Sequence, residues 1–134
     1  LTLGLLLHDS GKPHAPRTRE RAFEGHAELG VRYARSFLRR LEFPATVVED
    51  VTWLVSRHMF PAALHKLPLF RTERLMAHRL FPMLLELYRC DIESTYRGPD
   101  GYYRACKVYR DYLRHAGNPC RTAEGKKMLR LYVE

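Results

Sequence analysis

Thiols are scarce in this 134-residue chain: Cys90, Cys106 and Cys120 are odd in number and show no Cys-x-x-Cys spacing. That argues against a disulfide framework or a thiolate zinc site and fits a reducing, cytoplasmic setting. Long apolar runs are missing too. None approaches the roughly 20 residues that cross a bilayer, and no signal-peptide pattern opens the chain, so no membrane partner is expected. Acidic residues are outnumbered, 15 against 23 lysines and arginines, for a net charge of +8. Such a balance suits a polyanionic partner such as RNA, and equally a plain solvated basic surface. Asp9, Asp50, Asp91, Asp100 and Asp111 include no Asp-x-Asp, and no glycine-rich phosphate loop follows a strand. Nucleotidyl transfer, which needs paired carboxylates holding metals around a triphosphate, therefore cannot come from these residues.

The length suits one domain over residues 1–134 with a real core. The chain starts at Leu1, inside an apolar segment and without methionine, and reads as a piece of a longer polypeptide. Helical spacing dominates. A helix ends within residues 1–9, and Gly11 and Pro13 stop it, glycine by tolerating a left-handed turn and proline by being unable to continue. Residues 10–24 read as a loop anchored in the core by Phe23. From Gly25 a second helix places Gly30, Ala34, Phe37, Leu38 and Leu41 on one face and Arg32, Arg35 and Arg39 on another, flanked by Arg40. Phe43-Pro44 breaks it. Val47, Val48, Val51, Leu54 and Val55 then form a third stripe, which His58 continues. Residues 59–68 look irregular. A short helix is expected around 73–80, and Pro82 starts another in which Leu84, Leu87, Tyr88 and Asp91 share a face. Residues 97–101 make a turn. Tyr102, Cys106, Tyr109 and Leu113 line a further helix ending near 117–119, and residues 122–133 form a last short one capped by Thr122. No strand is evident. The reading is all-α.

Two side chains break the apolar rule of their helix faces, His58 and Asp91, while His26 follows the glycine that opens the second helix. With His8 and Asp9 they give three imidazoles and two carboxylates, a donor set for magnesium or a divalent transition metal. The alternatives are a hydrogen-bonded core histidine for His58, an arginine partner (Arg89 or Arg57) for Asp91, and a helix cap for His26. His8 and Asp9 point about 100° apart if both are helical, so an ion must lie between their directions. His14, His65, His78 and His115 share no apolar face and read as solvated.

Leu6-Leu7-His8-Asp9-Ser10-Gly11-Lys12-Pro13, Phe23-x-Gly25-His26-Ala27-x-x-Gly30, Leu54-Val55-x-x-His58-Met59 and Leu85-x-Leu87-x-Arg89-x-Asp91 together resemble the HD domain. More narrowly they resemble the HD-type region of bacterial tRNA nucleotidyltransferases (CCA-adding enzymes) and related poly(A) polymerases, over about residues 1–115. The resemblance implies an HD-domain-like helical bundle and a metal role for His8, Asp9, His26, His58 and Asp91. The ion would be Mg2+, Mn2+, Ni2+ or Fe2+. Superfamily members carry one more histidine upstream of the His-Asp pair, a position before Leu1, and Ser10 stands where an aliphatic residue is usual. Any nucleotidyltransferase head would also lie upstream.

Two functions follow. In the first, a metal-dependent phosphohydrolase, Asp9 binds the ion and Lys12 offsets charge on phosphoryl oxygens, Lys12 being otherwise a solvated charge near a helix end. The substrates the resemblance implies are 2′,3′-cyclic phosphates and other nucleotide phosphoesters at RNA ends. In the second, the domain is a non-catalytic RNA-holding body with a structural or vestigial metal, and Arg32, Arg35, Arg39 and Arg40 contact tRNA phosphates.

Overall fold

The computed structural model describes residues 1–17 and 23–115, without the side chains of Leu69 and His115. The expected last helix, with Thr122 as its cap, lies outside the described residues. Those described are helical, and no β-strand occurs among them. None of their helices is long and apolar enough to cross a membrane. The chain divides into two compact units, Leu1–Met59 and Phe60–Glu134.

The first unit holds α1 (Thr2–Leu7), α2 (His26–Arg40) and α3 (Ala45–Arg57), with a 3-10 turn at Lys12–His14. Its core is Leu7 from α1, Ala34 and Leu38 from α2, and Val48, Val51 and Val55 from α3. These are the positions that three- and four-residue spacing assigns to one face of each helix. Phe37 and Leu41, expected on the same stripe, are 38% and 54% exposed. Phe37 adjoins the fully buried Leu38 at the edge of the stripe, and Leu41 is the residue that ends α2. Arg32, Arg35, Arg39 and Arg40 are all exposed, as their face predicts.

The break between α2 and α3 is a Schellman ending. The Phe43 amide donates to Leu38 O at 3.1 Å and the Glu42 amide to Arg39 O at 3.0 Å. Glu42 takes the left-handed position usually given to glycine, at φ 57°. Phe43 then packs on the same core as Leu38, and Pro44 leads into α3.

Gly11 corrects the sequence reading. Its φ is −82°, an ordinary right-handed value, so a left-handed turn is not what glycine provides here. It provides room. A Cβ on Gly11 would fall 2.5 Å from the Gly30 amide nitrogen and 2.9 Å from the His26 carbonyl carbon. The chain after α1 thus lies directly on the first turns of α2. Ser10 Oγ donates to Gly30 O at 3.4 Å, and the ring of His14 stacks on Tyr33 at 4.2 Å between centroids. Gly30 in turn lets α3 in close, since a Cβ there would meet Val55 Cγ1 at 3.1 Å.

The second unit contains α4 (Phe60–Ala63), a 3-10 turn at Leu64–Lys66, α5 (Leu69–Met76), α6 (Phe81–Glu93) and α7 (Asp100–His115). The stretch expected to be irregular therefore carries short helical turns, and α5 runs several residues earlier than the predicted 73–80. Pro68, in extended conformation at the head of α5, provides the start that the spacing of apolar residues missed. Leu84, Leu87 and Tyr88 are buried on α6, and Ala105, Cys106, Tyr109, Tyr112 and Leu113 on α7. Phe81 and Tyr109 join the two helices, ring centroids 4.8 Å apart. Tyr102 is only half-buried.

Candidate metal centre

Three histidines of the first unit are set by one local device. His8 is the residue that ends α1, His26 opens α2, and His58 ends α3. In each, ring Nδ1 lies against the carbonyl oxygen three residues earlier: Leu5 O at 2.7 Å, Phe23 O at 2.8 Å and Val55 O at 2.7 Å. A carbonyl only accepts, so the bond puts the proton on Nδ1 and leaves Nε2 of a neutral ring as a lone pair. An outer partner of this kind is what orients imidazole toward a metal.

Two of those lone pairs face each other. His26 Nε2 and His58 Nε2 are 3.0 Å apart, with both residues buried. With each Nδ1 protonated, no hydrogen lies between the two atoms of a neutral pair. A cation relieves that opposition. Asp9 Oδ1 completes the corner, 3.7 Å from His26 Nε2 and 3.8 Å from His58 Nε2. Among the described residues, Asp9, His26 and His58 form a group whose ligand atoms lie within 4.8 Å of one another. Metal–nitrogen bonds of about 2.0–2.1 Å put neighbouring ligand atoms roughly 3.0–3.4 Å apart. The three residues fit an ion after a shift of a few tenths of an ångström in Asp9.

The second oxygen of Asp9 is turned away from the pair. Oδ2 accepts from Lys12 Nζ at 2.6 Å and lies 3.3 Å from His8 Nε2. Burial pushes the Asp9 carboxyl up, but the Lys12 hydrogen bond and the neighbouring positive groups outweigh it and hold the carboxyl below its ordinary range. It is therefore an anion. Burial, opposed by the Val55 carbonyl, pushes His58 below its ordinary 6.5 and keeps it a neutral donor. His8 stands beside this group, its ring edge-on to His58 at 5.3 Å between centroids. The adjacency of His8 and Asp9 poses no obstacle, because only Asp9 has to reach the imidazole pair.

Lys12 is thus placed by the structure, as the direct partner of Asp9. Asp91 stands on α6 in the second unit, half-buried and near the helix end. Arg89, a partner considered for it, is held by Glu86 and by Glu93, the latter at 2.7 and 2.8 Å. Of the histidines read as solvated, His14 and His65 are exposed, whereas His78 is half-buried and its Nδ1 accepts from the Leu80 amide at 3.2 Å.

Phe23 has a part that the sequence reading did not give it. It is half-buried, with φ 63°. That left-handed backbone, costly for a bulky residue, turns its carbonyl onto His26 Nδ1. Its ring lies against Arg17 and Lys12, centroid distances 4.7 and 5.8 Å, and not in the core. The available signal was its position, three residues before His26.

No solved structure gives a significant match to this chain. A CC-adding tRNA nucleotidyltransferase of Thermus thermophilus is 48% identical over 61 residues, covering 42% of this chain and 14% of that protein. The chain thus spans a small part of the relative it matches. The HD domain family matches residues 1–90, stopping one residue before Asp91. The paired His8 and Asp9, the spaced His26 and His58 and the all-helical frame lie within that match, and the chain belongs to the HD domain family.

Proposed function

We propose that the chain is a metal-dependent phosphohydrolase domain of a tRNA nucleotidyltransferase-like protein, acting on nucleotide or RNA-end phosphoesters such as 2′,3′-cyclic phosphates. The observation that carries this is the convergence of Asp9 Oδ1 with the two imidazole Nε2 atoms, 3.0–3.8 Å apart, their protons held on the far nitrogens. His26, His58 and Asp9 would hold the ion, with His8 as a further ligand. Two imidazoles and a carboxylate suit Mn2+, Fe2+ or Ni2+ better than Mg2+. A divalent ion held there would supply water of lowered pKa, toward about 7, and polarisation of a phosphoryl oxygen. Lys12 sets the position of Asp9 through Oδ2 and places one positive charge where phosphoryl oxygens gain negative charge. Hydrolysis adds hydroxide to phosphorus and a proton to the leaving oxygen.

Loading the chain with Mn2+ and following cleavage of 2′,3′-cyclic AMP tests this. Asp9→Asn is expected to lower turnover at least about 100-fold, the scale of losing one electrostatic stabiliser, with the helical circular dichroism kept. Turnover that is absent in the parent chain, or equal in the variant, overturns the reading.

A second reading, the RNA-holding body, has its own observation. Arg32, Arg35, Arg39 and Arg40 are exposed on one side of α2, and no described acidic side chain pairs with them. Guanidinium groups left unpaired along about two helical turns match successive backbone phosphates. Affinity for tRNA should then fall steeply with salt, and removing Arg35 and Arg39 should reduce the slope of log K against log salt by about 1 per lost contact. A slope unchanged in the double variant would make this face merely solvated.

A further inference from the structure

A second hollow adjoins the metal centre. Lys12, Pro13, Ala15, Arg17 and Phe23 line about 400 Å³ of open space, within the range of small-molecule sites. Lys12 belongs to both places, since its Nζ also bonds Asp9 Oδ2 at 2.6 Å. A molecule presenting its phosphate to Asp9 and the two histidines would extend along Lys12 into this hollow.

The lining has a definite chemistry. An aromatic ring carries a guanidinium carbon 4.7 Å from its centroid and an ammonium 5.8 Å away. Among the described residues, no acidic side chain lines the space. Phe23 is fixed there from two sides: its amide donates to Pro16 O at 3.2 Å and its carbonyl accepts from His26 Nδ1 at 2.8 Å. The left-handed backbone at φ 63° that this requires is strained for a bulky residue. One residue therefore places both a metal ligand and the ring that floors the hollow. Planar aromatic and guanidinium surfaces are what nucleobases stack on, and cations beside them take phosphate. A plain phosphate ester would use only the charges.

We propose that this hollow is the subsite for the nucleoside part of the substrate, the base stacking on the Phe23–Arg17 pair, so that the centre selects nucleotide phosphoesters over simple sugar phosphates. The proposal rests on the phosphohydrolase reading of the neighbouring centre but is tested without metal. Calorimetric titration of the EDTA-treated 134-residue chain compares adenosine 2′-monophosphate with ribose 5-phosphate. The nucleotide is expected to bind about tenfold tighter, the scale of one base on one aromatic surface. Arg17→Ala, at an exposed residue, and Phe23→Leu should each bring that ratio close to one. Equal affinities in the parent chain, or a ratio that both variants preserve, overturn the subsite. Mn2+ uptake and cyclic-nucleotide cleavage by the same preparation separate the two ideas. A chain that takes up Mn2+ and cleaves without any preference sinks the subsite alone. A preference in a chain that takes up no metal supports the subsite and sinks the hydrolase.

Discussion

Replacing Gly11 with alanine is expected to lower unfolding stability by about 3 kcal/mol or more, or to pull the His8–Lys12 segment off α2 and disable metal binding. The new methyl would sit 2.5 Å from Gly30 N and 2.9 Å from His26 C, with the His26 carbonyl oxygen nearer still. All three are backbone atoms of a helix. A flexible side chain could swing aside at small cost, whereas these atoms move only if α2 shifts against α1 and α3, through a core in which Ala34, Leu38 and Val55 are fully buried. Asp9 is two residues away, and the same segment sets its Oδ1 3.7 Å from His26 Nε2 and 3.8 Å from His58 Nε2. Gly98→Ala is the natural control. Gly98 has φ 70° with nothing nearby for a Cβ to meet, so its cost is conformational, about 1 kcal/mol. Chemical denaturation and Mn2+ titration of both variants decide the matter. A Gly11→Ala protein with the parent's midpoint and metal affinity would show that the contact does not constrain the site.

Gly11 also marks where reading the sequence stops. That a glycine was needed after the His-Asp pair was legible; the reason was not. Turn preference is local and shows in neighbouring residues, while close approach involves Gly30 and His26, nineteen and fifteen positions further on. The same boundary separates the other outcomes. Ala34, Leu38, Val48, Val51 and Val55 were legible as core because burial repeats with the helical period. Phe37 and Leu41 obey that period yet stand exposed, because periodicity does not show where the buried stripe has its edge, beside Leu38, or where the helix stops, at Leu41. His58 was legible as a polar residue on an apolar face and His26 by its place just after Gly25, and the structure brings both to Asp9. Their Nδ1–carbonyl bonds were not legible, although each partner lies only three residues upstream, because side-chain spacing carries no record of backbone acceptors. Phe23 reads from the sequence as a core anchor because it is a large apolar residue in a polar loop. Its left-handed backbone and its cationic neighbours follow from where the chain must turn to deliver His26.

The imidazole pair supplies the second large effect. His58→Gln is expected to weaken Mn2+ binding at least about 100-fold, since even partners one shell out cost 10–100-fold, and this change removes a ligand atom itself. The metal-free protein should respond in the opposite sense as pH falls. In the folded chain burial, against the Val55 hydrogen bond and the pull of Asp9, and with the repulsion of His8 and His26, holds His58 below 6.5. Between that lowered value and 6.5 the unfolded chain binds more protons than the folded one, so stability is full above 6.5 and is lost as pH falls through this window. Asp9 contributes in a separate range: its folded carboxyl lies below 3.8, so its share is present above 3.8 and is lost only in stronger acid. Glutamine has no proton to take up. The variant's stability should therefore stay flatter than the parent's just below pH 6.5, while both profiles fall together under pH 3.8. Denaturation midpoints measured in EDTA across that range read this directly. If both chains lose stability equally below pH 6.5, His58 is not held neutral by its surroundings, and a lone pair waiting for an ion loses its physical basis.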